Sequence, residues 1–127
     1  MVFGERSRLN GEGQDYWITD GLYGSFNCLL YDHATLVPVP LLKSQISGQC
    51  PPGLEHSLRG ELSPSTVFGP TCDGADQILQ AYPLPQLRRG DWLVFPNMGA
   101  YTLVGACKFN GIDVVDVAKA YIWSSRP

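Results

Sequence analysis

Turn-forming residues close the aromatic and β-branched runs of this sequence within a few positions. Tyr16-Trp17-Ile18-Thr19 ends at Asp20-Gly21, Thr66-Val67-Phe68 at Gly69-Pro70, and Trp92-Leu93-Val94-Phe95 at Pro96-Asn97. Phe26 to Tyr31, Thr35-Leu36-Val37 ahead of Pro38, and Ala100 to Cys107 (the longest candidate) are further runs of the same kind. Such residues suit a pleated, half-buried surface, and the 14 glycines and 10 prolines then serve as punctuation between strands. The expected fold class is mostly β and antiparallel. One short helix is expected after Cys72, over Asp73 to Tyr82, with Asp73 or Asp76 near its positive N-terminus and Pro83 and Pro85 ending it. From Val114 to Tyr121 the pattern fits strand and helix equally.

Residues 38–64 stand apart. Five of the ten prolines lie there (Pro38, Pro40, Pro51, Pro52 and Pro64), and proline removes backbone donors, which excludes a central strand. A long flexible loop is expected. The 127 residues suit one domain and fall short of the ~200–250 needed for a (β/α)8 barrel. At 44% hydrophobic the chain has enough apolar residues for a core.

Charge and cysteine usage narrow the function classes. Nine basic residues face twelve acidic ones, and the pI of about 5.2 argues against a nucleic-acid platform. No run approaches the ~18 apolar residues of a membrane span, and the first residues lack the apolar core of a secretory signal. Cys28, Cys50, Cys72 and Cys107 contain no C-x-x-C, and His33 and His56 complete no zinc pattern. Four thiols without secretion suggest a reducing, cytoplasmic protein with no metal site.

Three clusters carry chemistry-bearing residues. Gly69-Pro70-Thr71-Cys72-Asp73-Gly74 sets a cysteine beside a carboxylate on a rigid turn. One reading is a capped helix start with a small buried thiol. The other is a proton-donating Cys72, since the neighbouring Asp73 charge raises a thiol pKa and disfavours a standing thiolate. Asp20-Gly21-Leu22-Tyr23-Gly24-Ser25-Phe26-Asn27, followed by Tyr31-Asp32-His33, places two glycines around an aromatic and then Tyr31 and Asp32 at a strand end. It is either a hairpin with an ordinary surface aspartate or one wall of a site. Gly90-Asp91-Trp92 through Asn97-Met98-Gly99-Ala100-Tyr101 ends with a tyrosine that serves either core or ligand.

Taken in order, these motifs, closing with Phe109-Asn110-Gly111, resemble the C-terminal β-domain of the eukaryotic ornithine decarboxylases. That family comprises pyridoxal-phosphate enzymes related in fold to alanine racemase. The similarity runs from about Tyr16 to Gly111, and the wording around Val67-Phe68-Gly69 and Leu93-Val94-Phe95-Pro96 is similar to the plant branch.

The resemblance implies a β-sandwich or barrel-like domain over residues 15–127, residues 1–14 as a remnant or linker from the barrel side, and a cofactor-bearing barrel outside this chain. It implies that Cys72 reaches the partner subunit's site and protonates the carbon left by CO2. Asp73 would bind the distal ammonium of ornithine across the dimer, with Tyr31 and Asp32 on the substrate side of the chain's own barrel. Tyr101 would hydrogen-bond the phosphate of pyridoxal 5'-phosphate, and Phe109 would line the site near the interface. Two acids around a cationic tail suit a diamine side chain. Lys43, Lys108 and Lys119 match no cofactor lysine of the family. The implied assembly is a homodimer acting on ornithine in polyamine biosynthesis, with neither nucleic acid nor membrane as partner. An alternative is a truncated, non-catalytic paralogue that pairs with decarboxylase subunits or their regulators.

Overall fold

A computed structural model describes residues 1–9, 11–46, 61–99, 101–113, 120 and 123. Its main sheet has four strands: β1 (Val2–Ser7), β2 (Gln14–Ile18), β4 (Ser63–Phe68) and β5 (Gln77–Leu84), in the order β1-β2-β4-β5. A second sheet pairs β3 (Val39–Leu41) with β6 (Trp92–Val94). Among the described residues the α-helices are single turns, α1 (Cys28–Tyr31) and α2 (Lys43–Ile46). The mostly β class holds, as an open sheet plus a ribbon; among the described residues the strands do not close into a barrel. Pairing is antiparallel except between β2 and β4, which run parallel from Gln14↔Ser65 to Trp17↔Phe68.

The strands follow from alternation. In β2, Tyr16 and Ile18 point into the core, while Trp17 lies on the opposite face and stacks on Phe68 of β4 with centroids 5.3 Å apart. Val2, Val67, Ile78, Leu79, Leu84 and Leu93 join Tyr16 in one core fed by both sheets. Full burial of a side chain of this kind is worth ~1.5–3 kcal/mol. The Tyr16 hydroxyl, carried into that core, accepts a bond from the Leu87 N–H at 3.0 Å. Burial pushes its pKa up.

Several expectations need correction. Residues 2–7 are not a linker: they form β1, an edge strand with Val2 fully buried. The expected helix after Cys72 is absent, because Asp73 Oδ1 accepts the Ala75 N–H at 2.9 Å in a tight turn and the chain then enters β5. Burial of the consecutive pair Ile78 and Leu79 is accommodated by register shifts against β4, with Ala81 at φ +49°. Proline does occur on central strand β4. Pro64 sits opposite Pro83 of β5, so neither asks the other for a donor, and the β2 pairing starts only at Ser65.

Phe26 to Tyr31 is not a strand but a 3-10 turn (Ser25–Asn27) running into α1. Asp20 Oδ1 accepts the N–H groups of Gly21 and Ser25 at 2.8 and 2.9 Å and winds the chain, so Phe26, Asn27 and Cys28 are buried consecutively rather than alternately. Residues 101–105 form turns and 106–107 are irregular, in place of the longest strand, since buried Asn27 donates its amide to the Thr102 carbonyl and draws that backbone out of any ladder; Ala100 lies outside the described residues. The strand expected at Thr35–Val37 falls instead at Val39–Leu41, with Pro40 inside it. Within the 38–64 stretch, β3, α2 and the start of β4 are ordered elements, and residues 47–60 lie outside the described residues. So does most of the ambiguous segment 114–121.

Candidate functional site

Three turns converge beyond the ends of β2 and β4: residues 20–27, 69–76 and 101–111. Their contacts start at Tyr23. Its phenol donates to Asp73 Oδ2, its ring stacks on Phe109 with centroids 4.1 Å apart, and its carbonyl accepts the Cys107 N–H at 2.8 Å. Asn110, at φ +55°, donates its side-chain amide to Cys72 Sγ at 3.1 Å. Cys72, Asp73 and Phe109 are therefore brought into one connected cluster.

The electrostatics of this cluster are those of an anion held by neutral donors. The Tyr23 hydrogen bond, helped by the Ala75 N–H, lowers the Asp73 pKa below the usual carboxylate range. The same bond pushes the Tyr23 phenol up to about 12. Asp73 thus keeps its full negative charge near neutral pH, and no cation pairs with it among the described residues. Cys72 is exposed.

Beneath the cluster sits Asp76, fully buried. Its carboxylate accepts the Leu22 N–H at 2.7 Å, the Thr71 N–H at 3.2 Å and the Thr71 hydroxyl at 2.7 Å. Two glycines make room for it: a Cβ on Gly21 or Gly69 would lie 2.4 or 2.3 Å from a carboxylate oxygen.

The remaining candidates, Tyr31, Asp32 and Tyr101, make none of the contacts described above. Tyr31 closes α1 and Asp32 follows it; both are exposed, Tyr31 at 73%. Tyr101 is 72% exposed at φ +59° and precedes Thr102, whose carbonyl is held by Asn27 one residue before α1. With Leu30, Val104 and Phe109 they leave aromatic and aliphatic surface uncovered. A recess of about 680 Å³ lies elsewhere: Lys43, Glu61, Arg88, Arg89 and Asp91 help to line it, and it contains none of the six candidates. The candidate site is therefore the converging turns, where the thiol adjoins a carboxylate with no ion-pair partner among the described residues.

Sequence reading missed Tyr23, Asn110 and Asp76 as parts of the site. The signal for Tyr23 was its position between Gly21 and Gly24; the signal for Asp76 was its spacing from Gly69, visible only once the turn is folded. No group of three or more His, Cys, Asp or Glu among the described residues could hold a metal. No helix among them is long and apolar enough to cross a membrane.

The converging turns of this small sheet domain present an exposed thiol, several aromatics and a carboxylate with no ion-pair partner among the described residues. Residues 2–99 match the family model described as "Pyridoxal-dependent decarboxylase, C-terminal sheet domain", and the chain belongs to that family. It is 46% identical over 122 residues to "Ornithine decarboxylase, chloroplastic" of Nicotiana glutinosa, covering 93% of this chain and 27% of the relative. It is 48% identical over 98 residues to "Antizyme inhibitor 2" of Xenopus laevis, covering 77% and 19% respectively. Among solved structures, the lysine decarboxylase from Selenomonas ruminantium superposes with a TM-score of 0.70 at 34% identity, over 88% of this chain and 26% of that one. The chain spans about a quarter of the length of the tobacco relative.

For the pyridoxal group itself, the described residues fit a supporting part. Tyr101 offers an exposed phenol and Cys72 an exposed thiol. Lys108 is engaged with Asp113 at 2.5 Å, and the Lys43 side chain packs against Gly90. Lys108 thus lies within the 101–111 turn but is engaged by Asp113, and Lys119 lies outside the described residues.

Proposed function

We propose that this chain is the C-terminal domain of a cytoplasmic ornithine decarboxylase converting L-ornithine to putrescine and CO2 for polyamine biosynthesis. In the full chain this sheet domain, β1 included, would be preceded by a barrel. The carrying observation is the Cys72–Asp73 turn, where an exposed thiol lies beside a carboxylate held anionic by neutral donors alone. A lysine-bound pyridoxal cofactor, when present, supplies the electron sink that lets CO2 leave. This chain's residues do the rest. Asp73 and Asp32 hold the distal ammonium of ornithine, Asp73 across a homodimer interface, by charge-assisted hydrogen bonds. Tyr31 packs beside the substrate, and Phe109 lines the site and steadies Tyr23. Tyr101 hydrogen-bonds the cofactor phosphate. Cys72 gives a proton to the carbon that lost CO2, and the Asn110 amide offers a hydrogen bond to the sulfur left behind.

Ornithine is preferred over lysine because the relative of highest coverage reported above carries the ornithine name, while the lysine decarboxylase is known to be similar at lower identity. A second reading has its own support in the antizyme inhibitor match: a non-catalytic paralogue that binds decarboxylase subunits or their regulators. Putrescine release from ornithine by the full native chain, with pyridoxal phosphate, separates the two. The decarboxylase reading expects turnover that disappears in the isolated 127 residues. Turnover by the isolated residues would contradict the domain reading, and a full chain without turnover that still captures an active decarboxylase would favour the paralogue.

A further inference from the structure

We propose that Asp76 is a positioning residue for the Cys72–Asp73 pair, a buried carboxylate that locks the turn bearing them to the turn bearing Tyr23. What Cys72 and Asp73 do rests on the decarboxylase reading; the lock itself does not.

Burying a carboxylate is costly unless its oxygens are fully hydrogen-bonded, and a neutral side chain of similar size would fill the same space at less cost. Asp76 is nevertheless fully buried, and its side-chain partners among the described residues are all neutral donors. Where those donors lie is the informative part. Thr71 precedes Cys72 and binds Oδ2 through both its N–H and its hydroxyl. Leu22 precedes Tyr23, the residue that grips Asp73, and binds Oδ1. The Asp76 backbone adds two more ties: its N–H donates to the Asp73 carbonyl at 3.0 Å, and its carbonyl accepts the Gly69 N–H at 2.8 Å.

One residue therefore fixes the chain on both sides of Cys72 and fixes the anchor of Asp73 as well. Replacing one of its oxygens by an amide NH2 leaves a single acceptor for donors on two turns, so either Leu22 or Thr71 loses its partner and the thiol and the carboxylate lose their registration with each other. Thr71 is the matching handle on the other side of the lock. Thr71→Ser keeps the hydroxyl and the lock, and Thr71→Val removes the bond at nearly constant shape.

The test uses the full native chain with Asp76→Asn, Thr71→Val, Thr71→Ser, and Val67→Ala as a control that weakens the core of β4 without touching either turn. Two quantities are read: the rate of Cys72 alkylation by iodoacetamide, followed on the Cys72 peptide, and kcat and KM for L-ornithine. Asp76→Asn is expected to change the Cys72 rate about fivefold and to lower kcat/KM about tenfold or more, because small displacements of reacting groups are amplified in rate. Thr71→Val moves both in the same direction by less, and Thr71→Ser stays within about twofold of the parent chain. Val67→Ala lowers the melting temperature and leaves the Cys72 rate in place. The inference is overturned if Asp76→Asn behaves as Val67→Ala does, less stable but unchanged in Cys72 rate and kcat/KM. If Asp76→Asn does not fold, equal behaviour of Thr71→Val and Thr71→Ser overturns it. If even the parent chain releases no CO2 from ornithine, the decarboxylase reading fails while the Cys72 rates still decide the lock.

Discussion

Two aspartates on opposite parts of the molecule show how partners decide what a carboxylate is for. Asp15, buried in β2, faces two guanidinium groups: Arg6 at 2.5 Å and Arg8 at 2.7 Å, with Arg8 also bonded to the Thr66 hydroxyl at 2.6 Å. Burial works to raise its pKa, but the Arg6 and Arg8 hydrogen bonds and charges outweigh it and leave the carboxyl lowered. Asp73 is held low too, yet by a phenol and a backbone N–H. The charge of Asp15 is matched within the chain and serves the sheet. The charge of Asp73 has no countercharge among the described residues and remains available to a cation from outside. Hydrogen bonds alone do not distinguish the two; the presence or absence of a countercharge does.

The comparison can be broken in several ways. The largest effect is expected at the neighbour of the unmatched charge: Cys72→Ala in the full native chain should lower correct product formation from ornithine by about 10²-fold or more, the scale of a lost proton donor. Product analysis beside CO2 release checks this, and unchanged putrescine yield would exclude Cys72 as the donor. Next is the matched charge. Asp15→Asn leaves two arginines facing a neutral amide and is expected to cost about 2 kcal/mol, below the full value for a buried pair because both arginines are partly exposed. Denaturant unfolding reads this, with kinetic constants unaffected.

The pH dependence sharpens the same point. Because the folded Asp15 pKa lies below its unfolded value near 3.8, the stability it contributes is present above that value and is lost as pH falls through the lowered one. Asp15→Asn should flatten that part of the acid unfolding curve, and an unaltered curve would show that the ion pairs contribute nothing. The smallest effect concerns Tyr23. Its phenol should titrate well above 10, towards about 12, and Asp73→Asn should bring it back towards the ordinary value, as followed by tyrosinate absorbance. The accompanying Tyr23→Phe change should raise KM for ornithine only a few-fold, since Asp73 keeps its Ala75 bond.

How far the sequence led depended on whether a residue's role is local. β2, β4 and β6 were visible because alternation and turn residues are read within a few positions, as Tyr16-Trp17-Ile18 before Asp20-Gly21 shows. The 26–31 and 101–107 segments misled because their apolar residues are either buried consecutively, as at Phe26 to Cys28, or left exposed, as at Tyr101 and Val104, with Asn27 and Asp20 supplying the backbone partners a ladder would have supplied. Asp73-Gly74-Ala75-Asp76 looked like a helix start for a related reason. Its aspartates do bind backbone N–H groups, but Asp76 reaches Leu22, 54 residues away, and nothing local announces that. The motif pointing to Cys72 and Asp73 was readable as wording; their support by Tyr23 and Asp76 required the fold.

The central claim is that the unmatched carboxylate belongs to a substrate and the matched one to the fold. The most direct measurement is KM for L-ornithine and the melting temperature of the full native chain, taken side by side for Asp73→Asn and Asp15→Asn. The account expects Asp73→Asn to raise KM about tenfold or more with the melting temperature held, and Asp15→Asn to lower the melting temperature with KM held. The reverse pattern, or a KM indifferent to Asp73, would contradict it.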